Sequence, residues 1–471
     1  MSSENAYGFV VIGAGPAGHR AAETAAQAGV RTLLVERGAR VGGECVFRGT
    51  VPSKTLLASA RGLREMRRAC LDVPSIGHRS PVPQLMDRVR AVSDGYSGSI
   101  QTSLDHAGVE CIQARARFLG PHELSCESLD GTRRRITAEH IVIATGTRPR
   151  APQDLPIDHE HVLDSDSILS LAYLPASLLV LGAGVIGSEF ASLFQALGVQ
   201  VTMVDSHAQA LGFLEPVLSA GFLKAFEDEG GRFVPNVKVT SMRTGAVEGV
   251  DTCLSNGETV HAAKVLVAQG RVADLGRLGI EKAGLTANTR GLLDVDSFGR
   301  TSQPHIYAAG DVSGAPALAA ASMHQGQRAV RHALGLAIGM PAEQIPTGIY
   351  TLPELASVGW TEAQTREELG DALVADVDFG DLARARIDGC TDGSLRLVCD
   401  PEGERIVGVH IIADRASDLI HLGQIAMVNG QGPSFFDETI FNFPTYAEAY
   451  AEAARDLIAQ RTARHGQRLA S

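Results

Sequence analysis

The residues best suited to chemistry in this chain fall in three runs. Two are glycine-rich, Gly13-Ala14-Gly15-Pro16-Ala17-Gly18 and Gly182-Ala183-Gly184-Val185-Ile186-Gly187. The third lies between them and reads Gly42-Gly43-Glu44-Cys45-Val46-Phe47-Arg48-Gly49-Thr50-Val51-Pro52-Ser53-Lys54. Glycines at this spacing let a backbone turn approach a pyrophosphate, whose charge is favoured by the positive end of the helix that follows. Two such turns predict two bound nucleotides and hydride traffic between them.

A glycine run is weak evidence by itself, so the flanking elements decide. The apolar run Phe9-Val10-Val11-Ile12 precedes the first turn, the alanine-rich stretch 21–28 reads as a helix, and Leu33-Leu34-Val35 ends at Glu36. This is a strand, tight turn, helix and strand. Gly13, Gly15 and Gly18 form the phosphate turn, Glu36 is placed to accept from an adenosine ribose, and Arg37 counts with the same site. The second copy has Leu178 to Leu181, a helix from Val185, and Val201 to Val204 ending at Asp205. The first glycine and the acid stand 23 positions apart in both copies, 13 to 36 and 182 to 205. Asp205 favours NAD by bonding the ribose 2′-OH and repels the 2′-phosphate of NADP. Ser206-His207 brings no arginine, which leaves a protonated His207 to meet a phosphate. The expectation is tighter binding of NAD(H) than of NADP(H), with NADP(H) affinity weakening as pH rises through the histidine range.

The other elements follow from these two. Residues 1–150 hold the first turn and close on the apolar Ile141-Val142-Ile143-Ala144-Thr145-Gly146-Thr147-Arg148-Pro149. A second nucleotide unit spans 151–270 and ends on Val265-Leu266-Val267-Ala268-Gln269-Gly270. Residues 271–344 return to the first unit, where Ile306-Tyr307-Ala308-Ala309-Gly310-Asp311-Val312 delivers Asp311 at the carboxyl end of a strand, the side on which ligands bind in open sheets. From 345 to 471 short strands and helices alternate without a phosphate turn. The predicted class is α/β, with two Rossmann-like domains and a C-terminal α+β domain.

Composition agrees and excludes alternatives. A chain of 471 residues with 44% hydrophobic and 20% charged residues is globular, with room for about three domains. A formal charge of −12 argues against nucleic acid as a partner. Met1 to Tyr7 form no secretory apolar region, and the apolar stretch from Leu178 to Phe194 carries Glu189 and the turn glycines, so neither a leader nor a membrane span is expected. The seven cysteines, at 45, 70, 111, 126, 253, 390 and 399, form no CxxC pair and fit reduced thiols in a cytoplasm. No His, Cys and carboxylate cluster has metal spacing.

With these motifs in order, the chain resembles the pyridine nucleotide-disulfide oxidoreductases, the family of glutathione reductase and lipoamide dehydrogenase, from end to end. The resemblance is carried by the first turn with Glu36, by the segment from Gly42 to Lys54, by Ala144 to Pro149, by Gly182 to Glu189 and by Ala308 to Val312. It implies a glutathione-reductase-like fold, FAD on the first turn, nicotinamide nucleotides on the second, and a homodimer or larger homo-oligomer built on the C-terminal domain.

In members that reduce disulfides, a Cys-x4-Cys pair lies against the flavin, and a His-Pro-Thr-x-x-Glu segment of the partner subunit supplies an acid–base histidine. Here Thr50 stands at the flavin-side cysteine and Phe443 at the histidine, while Pro444, Thr445 and Glu448 remain. A hydroxyl cannot form a disulfide and a phenyl ring cannot shuttle protons, so disulfide reduction is disfavoured twice. Cys45 is left over, either a small buried spectator or the centre of a sulfenic-acid cycle; Thr50 in the flavin-side place speaks against the cycle.

Lys54 and Glu189 are placed together near the flavin N5 by the resemblance, since a buried charge needs its partner. The alternative is a surface lysine and an acid in the first turn of a helix, where the dipole favours it. Ile345 to Glu354 and Phe441 to Tyr450, with Cys45 but Thr50, are most similar to a branch of the family that exchanges hydride between nicotinamides. The expected reaction is NADPH + NAD⁺ ⇌ NADP⁺ + NADH, with FAD, NAD(H) and NADP(H) as cofactors. The alternatives are a diaphorase delivering electrons to a quinone or metal ion, and a flavoprotein that signals nicotinamide binding to a partner.

Overall fold

The computed structural model describes residues 5–68, 82–244, 249–338 and 344–470; Cys70 and residues 1–4 lie outside them. The chain forms two compact units, one of residues 1–55, 83–152 and 269–342, the other of 56–82, 153–268 and 343–471.

In the first unit the strand Ala6–Ile12 lies between Thr32–Glu36 and Arg133–Ile143, all parallel. Thr32–Glu36 pairs in parallel with Glu110–Gly120, and Arg133–Ile143 with Ile306–Ala308. Parallel strands covered on both faces read as unbroken apolar runs, and Phe9, Val10 and Val11 are accordingly fully buried. Phe9, Val11, Leu34 and Val142 face one core, together with Ala21 and Ala25 of the helix Pro16–Gln27 and Val330 of the helix Ala319–Ala333. Val10, Leu33, Ile141 and Ile143 face the other, against the antiparallel meander Glu110–Gly120, Glu123–Ser128 and Arg133–Ile143. The two helices touch at backbone level: a Cβ on Gly326 would stand 2.1 Å from the Ala17 carbonyl oxygen.

In the second unit Arg232–Val234, Gln200–Val204, Ser177–Leu181, Lys264–Val267 and Val162–Asp164 make a five-stranded parallel sheet in that order. A three-stranded antiparallel sheet follows Val239–Thr244, Val250–Leu254 and Thr259–Ala262. The C-terminal segment forms an antiparallel sheet ordered Thr347–Ile349, Glu354–Gly359, Ile406–Ala413, Ser394–Cys399 and Leu373–Asp378. The helices Ala416–Val428 and Glu448–Ala470 pack on it around Tyr450, Phe379 and Phe436. Among the described residues no helix is long and apolar enough to cross a membrane.

Candidate functional site

Each glycine run stands at the carboxyl end of a central strand and opens a helix, Pro16–Gln27 in the first unit and Val185–Ala196 in the second. The three glycines have separate tasks. Gly13 and Gly182 take φ of +99° and +106°, which disfavours a side chain. A Cβ on Gly18 would lie 1.7 Å from the Gly13 carbonyl oxygen, and one on Gly187 would lie 1.8 Å from that of Gly182, so helix and turn touch there. A Cβ on Gly15 or Gly184 would meet nothing within 4 Å. Those middle glycines border open space that a side chain would fill. Both helices have a glycine N-cap without side-chain cap and no acid in the first turn, leaving their first N–H groups for an anion. The donor sets therefore fit dinucleotide pyrophosphates in both units.

The acids at the strand ends brace the turns. Glu36 Oε2 accepts the Ala14 N–H at 2.7 Å and Asp205 Oδ2 accepts the Ala183 N–H at 2.6 Å. Burial alone would raise the Asp205 carboxyl, but the N–H groups of Ala183 and His207 and the His207 ring outweigh it and hold it below the usual carboxylate range. Arg37 makes an ion pair with Asp274 at 2.5 Å.

Gly42 and Gly43 carry the third run onto the first turn: the Gly42 N–H bonds the Ala14 carbonyl at 2.9 Å, and a Cβ on Gly43 would come within 2.8 Å of the Gly15 Cα. Cys45 lies in the short helix Gly43–Phe47, and Thr50 and Lys54 lie one turn apart at the start of the helix Thr50–Arg68. Burial pushes the Cys45 thiol up; the Thr50 hydrogen bond and the Lys54 charge oppose this, and Asp311 adds to it. Cys45, Thr50, Lys54 and Asp311 are thus brought together. Asp311 Oδ2 accepts from the Thr147 hydroxyl at 3.1 Å, and that oxygen accepts from Arg271 Nε at 2.9 Å. Arg271 was absent from the sequence-derived set, although it follows Gly270 directly. Gly146 and Gly270 take φ of +65° and +95° and end the strands that lead into the antiparallel pair Thr147–Pro149 and Arg271–Ala273.

In the second unit the helix starts at Val185 as expected, which makes Glu189 its fifth residue, just past the first turn and not within it. Its Oε1 accepts the Tyr350 N–H at 2.9 Å, and Ser192 Oγ accepts the Leu352 N–H at 2.8 Å. Glu189 is therefore tied to the segment Ile349-Tyr350-Thr351-Leu352 rather than to the helix dipole. Phe443 is 75% exposed, and Glu448 Oε2 accepts the Thr445 N–H at 3.0 Å. His19 is buried in its helix, where desolvation drives the ring toward the neutral form. Among the described residues no group of His, Cys, Asp and Glu could hold a metal, and the described cysteines are free.

Residues 7–326 match the family described as "Pyridine nucleotide-disulphide oxidoreductase", and residues 345–454 match its dimerisation domain. A soluble pyridine nucleotide transhydrogenase of Mycobacterium tuberculosis is 38% identical over 96% of this chain and 97% of its own. One from Erwinia tasmaniensis is 37% identical over 96% and 98%. Among solved structures, LpdA from Mycobacterium tuberculosis has a TM-score of 0.88 at 29% identity, covering 95% of this chain and 99% of that one. The HOCl-induced flavoprotein disulfide reductase RclA from Escherichia coli has a TM-score of 0.86 at 27% identity, covering 95% and 99%.

Proposed function

The chain belongs to the pyridine nucleotide-disulphide oxidoreductase family, and from that premise we propose that it exchanges hydride between nicotinamides, NADPH + NAD⁺ ⇌ NADP⁺ + NADH, as a homodimeric FAD enzyme of the cytoplasm. The observation that carries this reading is Thr50 beside Cys45, where a disulfide reductase needs its second cysteine; its hydroxyl draws the Cys45 thiol down against the effect of burial. The transhydrogenase names of relatives 37 and 38% identical support the same reaction.

FAD, when bound, supplies a ring that takes up a hydride and gives it back. The remaining work falls to the chain. Gly13, Gly15, Gly18 and Glu36 hold the first dinucleotide, with Gly146 and Asp311 at neighbouring strand ends. Thr147 bonds the Asp311 carboxylate, and Arg271 holds the Thr147 hydroxyl in place. Lys54 places a positive charge beside Cys45 and Asp311. Gly182, Gly184, Gly187 and Asp205 hold NADPH and NAD⁺ in turn, and Glu189 is held by Tyr350.

The test is a steady-state assay of purified protein with NADPH and thio-NAD⁺. Sustained turnover with parallel double-reciprocal lines, and mutual inhibition at high concentration, is the expected result for one shared site. Intersecting lines without inhibition refute the shared site, and comparable turnover of lipoamide or glutathione disulfide refutes the reaction.

A further inference from the structure

Glu36 and Asp205 brace their turns alike, and the difference between them lies two residues on. Glu36 Oε1 accepts the Gly38 N–H at 2.7 Å; Asp205 Oδ1 accepts the His207 N–H at 2.8 Å. Gly38 adds no side chain. His207 adds an imidazole whose Nδ1 lies 2.7 Å from the same Asp205 oxygen. The Asp205 side chain is 14% exposed and that of His207 84%. An ionised carboxylate only accepts, so Nδ1 donates, and Nε2 is the ring atom left for a ligand.

We infer that His207, and not Asp205 alone, reads the adenosine 2′ position, and that its two protonation states let one turn receive both dinucleotides. The inference rests on the second turn being the shared nicotinamide site. With the ring neutral, Nε2 accepts from a ribose 2′-hydroxyl; with the ring protonated, Nε2–H donates to a 2′-phosphate while Asp205 balances the charge. This extends the expectation that a protonated His207 meets the 2′-phosphate, since the imidazole is seated on the Asp205 oxygen that would repel it and the neutral ring serves the 2′-hydroxyl. The surroundings leave His207 in charge. The Gly182–Gly187 turn, Ala208 to Leu211 and Val234 to Val237 bond to each other and to this corner through Leu211 N–H to Ala183 O, Asn236 N–H to His207 O and Val237 N–H to Asp205 O. None of these three segments carries an ionisable side chain; Lys238 follows the last of them and Glu189 lies two residues past Gly187.

The test measures NADP⁺ and NAD⁺ binding to the oxidised holoenzyme by calorimetry, so that no turnover is needed, from about pH 6 to about pH 8.5. For the unaltered protein the NADP⁺ Kd is expected to rise about fivefold or more across that range while the NAD⁺ Kd holds within about twofold. His207→Ala should weaken NADP⁺ about tenfold at the acid end, the worth of one charge-assisted hydrogen bond, and remove the pH dependence relative to the unaltered protein. His207→Arg, which keeps its charge throughout, should bind NADP⁺ tightly at both ends. The 2′-phosphate's own second ionisation, near pH 6, is common to all three proteins and cancels in the comparison. If both dinucleotides bind and compete but His207→Ala leaves the NADP⁺ affinity and its pH profile unchanged, this inference fails and the shared site stands. If the two do not compete, both fail.

Discussion

Thr50 stands beside Cys45 at the five-residue step that separates the two sulfurs of a Cys-x4-Cys pair, and its hydroxyl opposes the rise that burial imposes on the Cys45 thiol. The spacing of the pair is kept, while the second thiol is replaced by a hydroxyl with a methyl beside it. Oxygen in that place forms no disulfide and, at neutral pH, brings no anion to a flavin. On reduction with NADPH the holoenzyme should show no long-wavelength thiolate-to-flavin band. Thr50→Cys should restore the pair, with two fewer free thiols on titration of the denatured, oxidised protein than of the same protein after reduction. A band in the unaltered protein that vanishes in Cys45→Ser would show that Cys45 reaches the flavin.

Cys45 and Cys253 should separate cleanly by reactivity. Burial pushes the Cys45 thiol up, whereas hydrogen bonds from Thr259 and Ser241 pull the exposed-side Cys253 thiol down. The thiolate is the species that is alkylated, so at a fixed mildly alkaline pH Cys253 carries more of it. A folded state that raises a thiol's pKa holds the proton more tightly. Its contribution to stability is complete below the ordinary thiol value and is lost as pH rises through the raised one. Peptide mapping after iodoacetamide treatment should find Cys253 labelled first, with Cys45 following only above the ordinary thiol range. Equal labelling rates at about pH 8 would contradict the upward shift of the Cys45 thiol.

Glu215 and Arg396 join the end of the nucleotide loop to the C-terminal sheet at 2.8 Å, with side chains 3% and 17% exposed. Removing one member strands the other. Arg396→Ala should destabilise the protein by about 3 to 5 kcal/mol, read as a lowered thermal midpoint, and Glu215→Gln in the same background should recover part of that loss. A midpoint unchanged by Arg396→Ala would mean that Asp376 and Glu362, its other partners, do not depend on it.

Both nucleotide turns were legible in the sequence because their signal is local: a glycine spacing, an apolar strand before it and an acid at a fixed distance after it. What the sequence hid was settled by distant partners. Glu189 bonds the Tyr350 N–H, 161 positions away, and Arg37 pairs with Asp274, contacts that no spacing announces. The row Ser357, His410, Arg396 and Asp376 is a further case: cross-strand register aligns it on one face of the C-terminal sheet, yet along the chain these are scattered polar residues. The double use of Asp205, as brace for Ala183 and seat for His207, was half visible: the acid was read and its hold on the histidine was not.

Gly184 and Gly187 provide the sharpest separation of folding from binding. A Cβ at Gly187 would press to 1.8 Å of the Gly182 carbonyl oxygen, with the Val180 side chain at 3.3 Å, so neither backbone nor neighbour can yield cheaply. Gly187→Ala should cost about 1 to 3 kcal/mol or more through overpacking and lower the thermal midpoint. At Gly184 a Cβ meets nothing within 4 Å and φ is an ordinary −77°. Gly184→Ala should therefore fold and hold FAD as the unaltered protein does. The added methyl would stand where the backbone must approach the pyrophosphate, and the Kd for NAD⁺ and NADP⁺ alike should rise about tenfold or more. The matching change in the other unit, Gly15→Ala, should spare nicotinamide affinity and weaken FAD retention, measured by flavin release on gel filtration. If Gly184→Ala bound both dinucleotides as before, the open side of the second turn would not be the nicotinamide site.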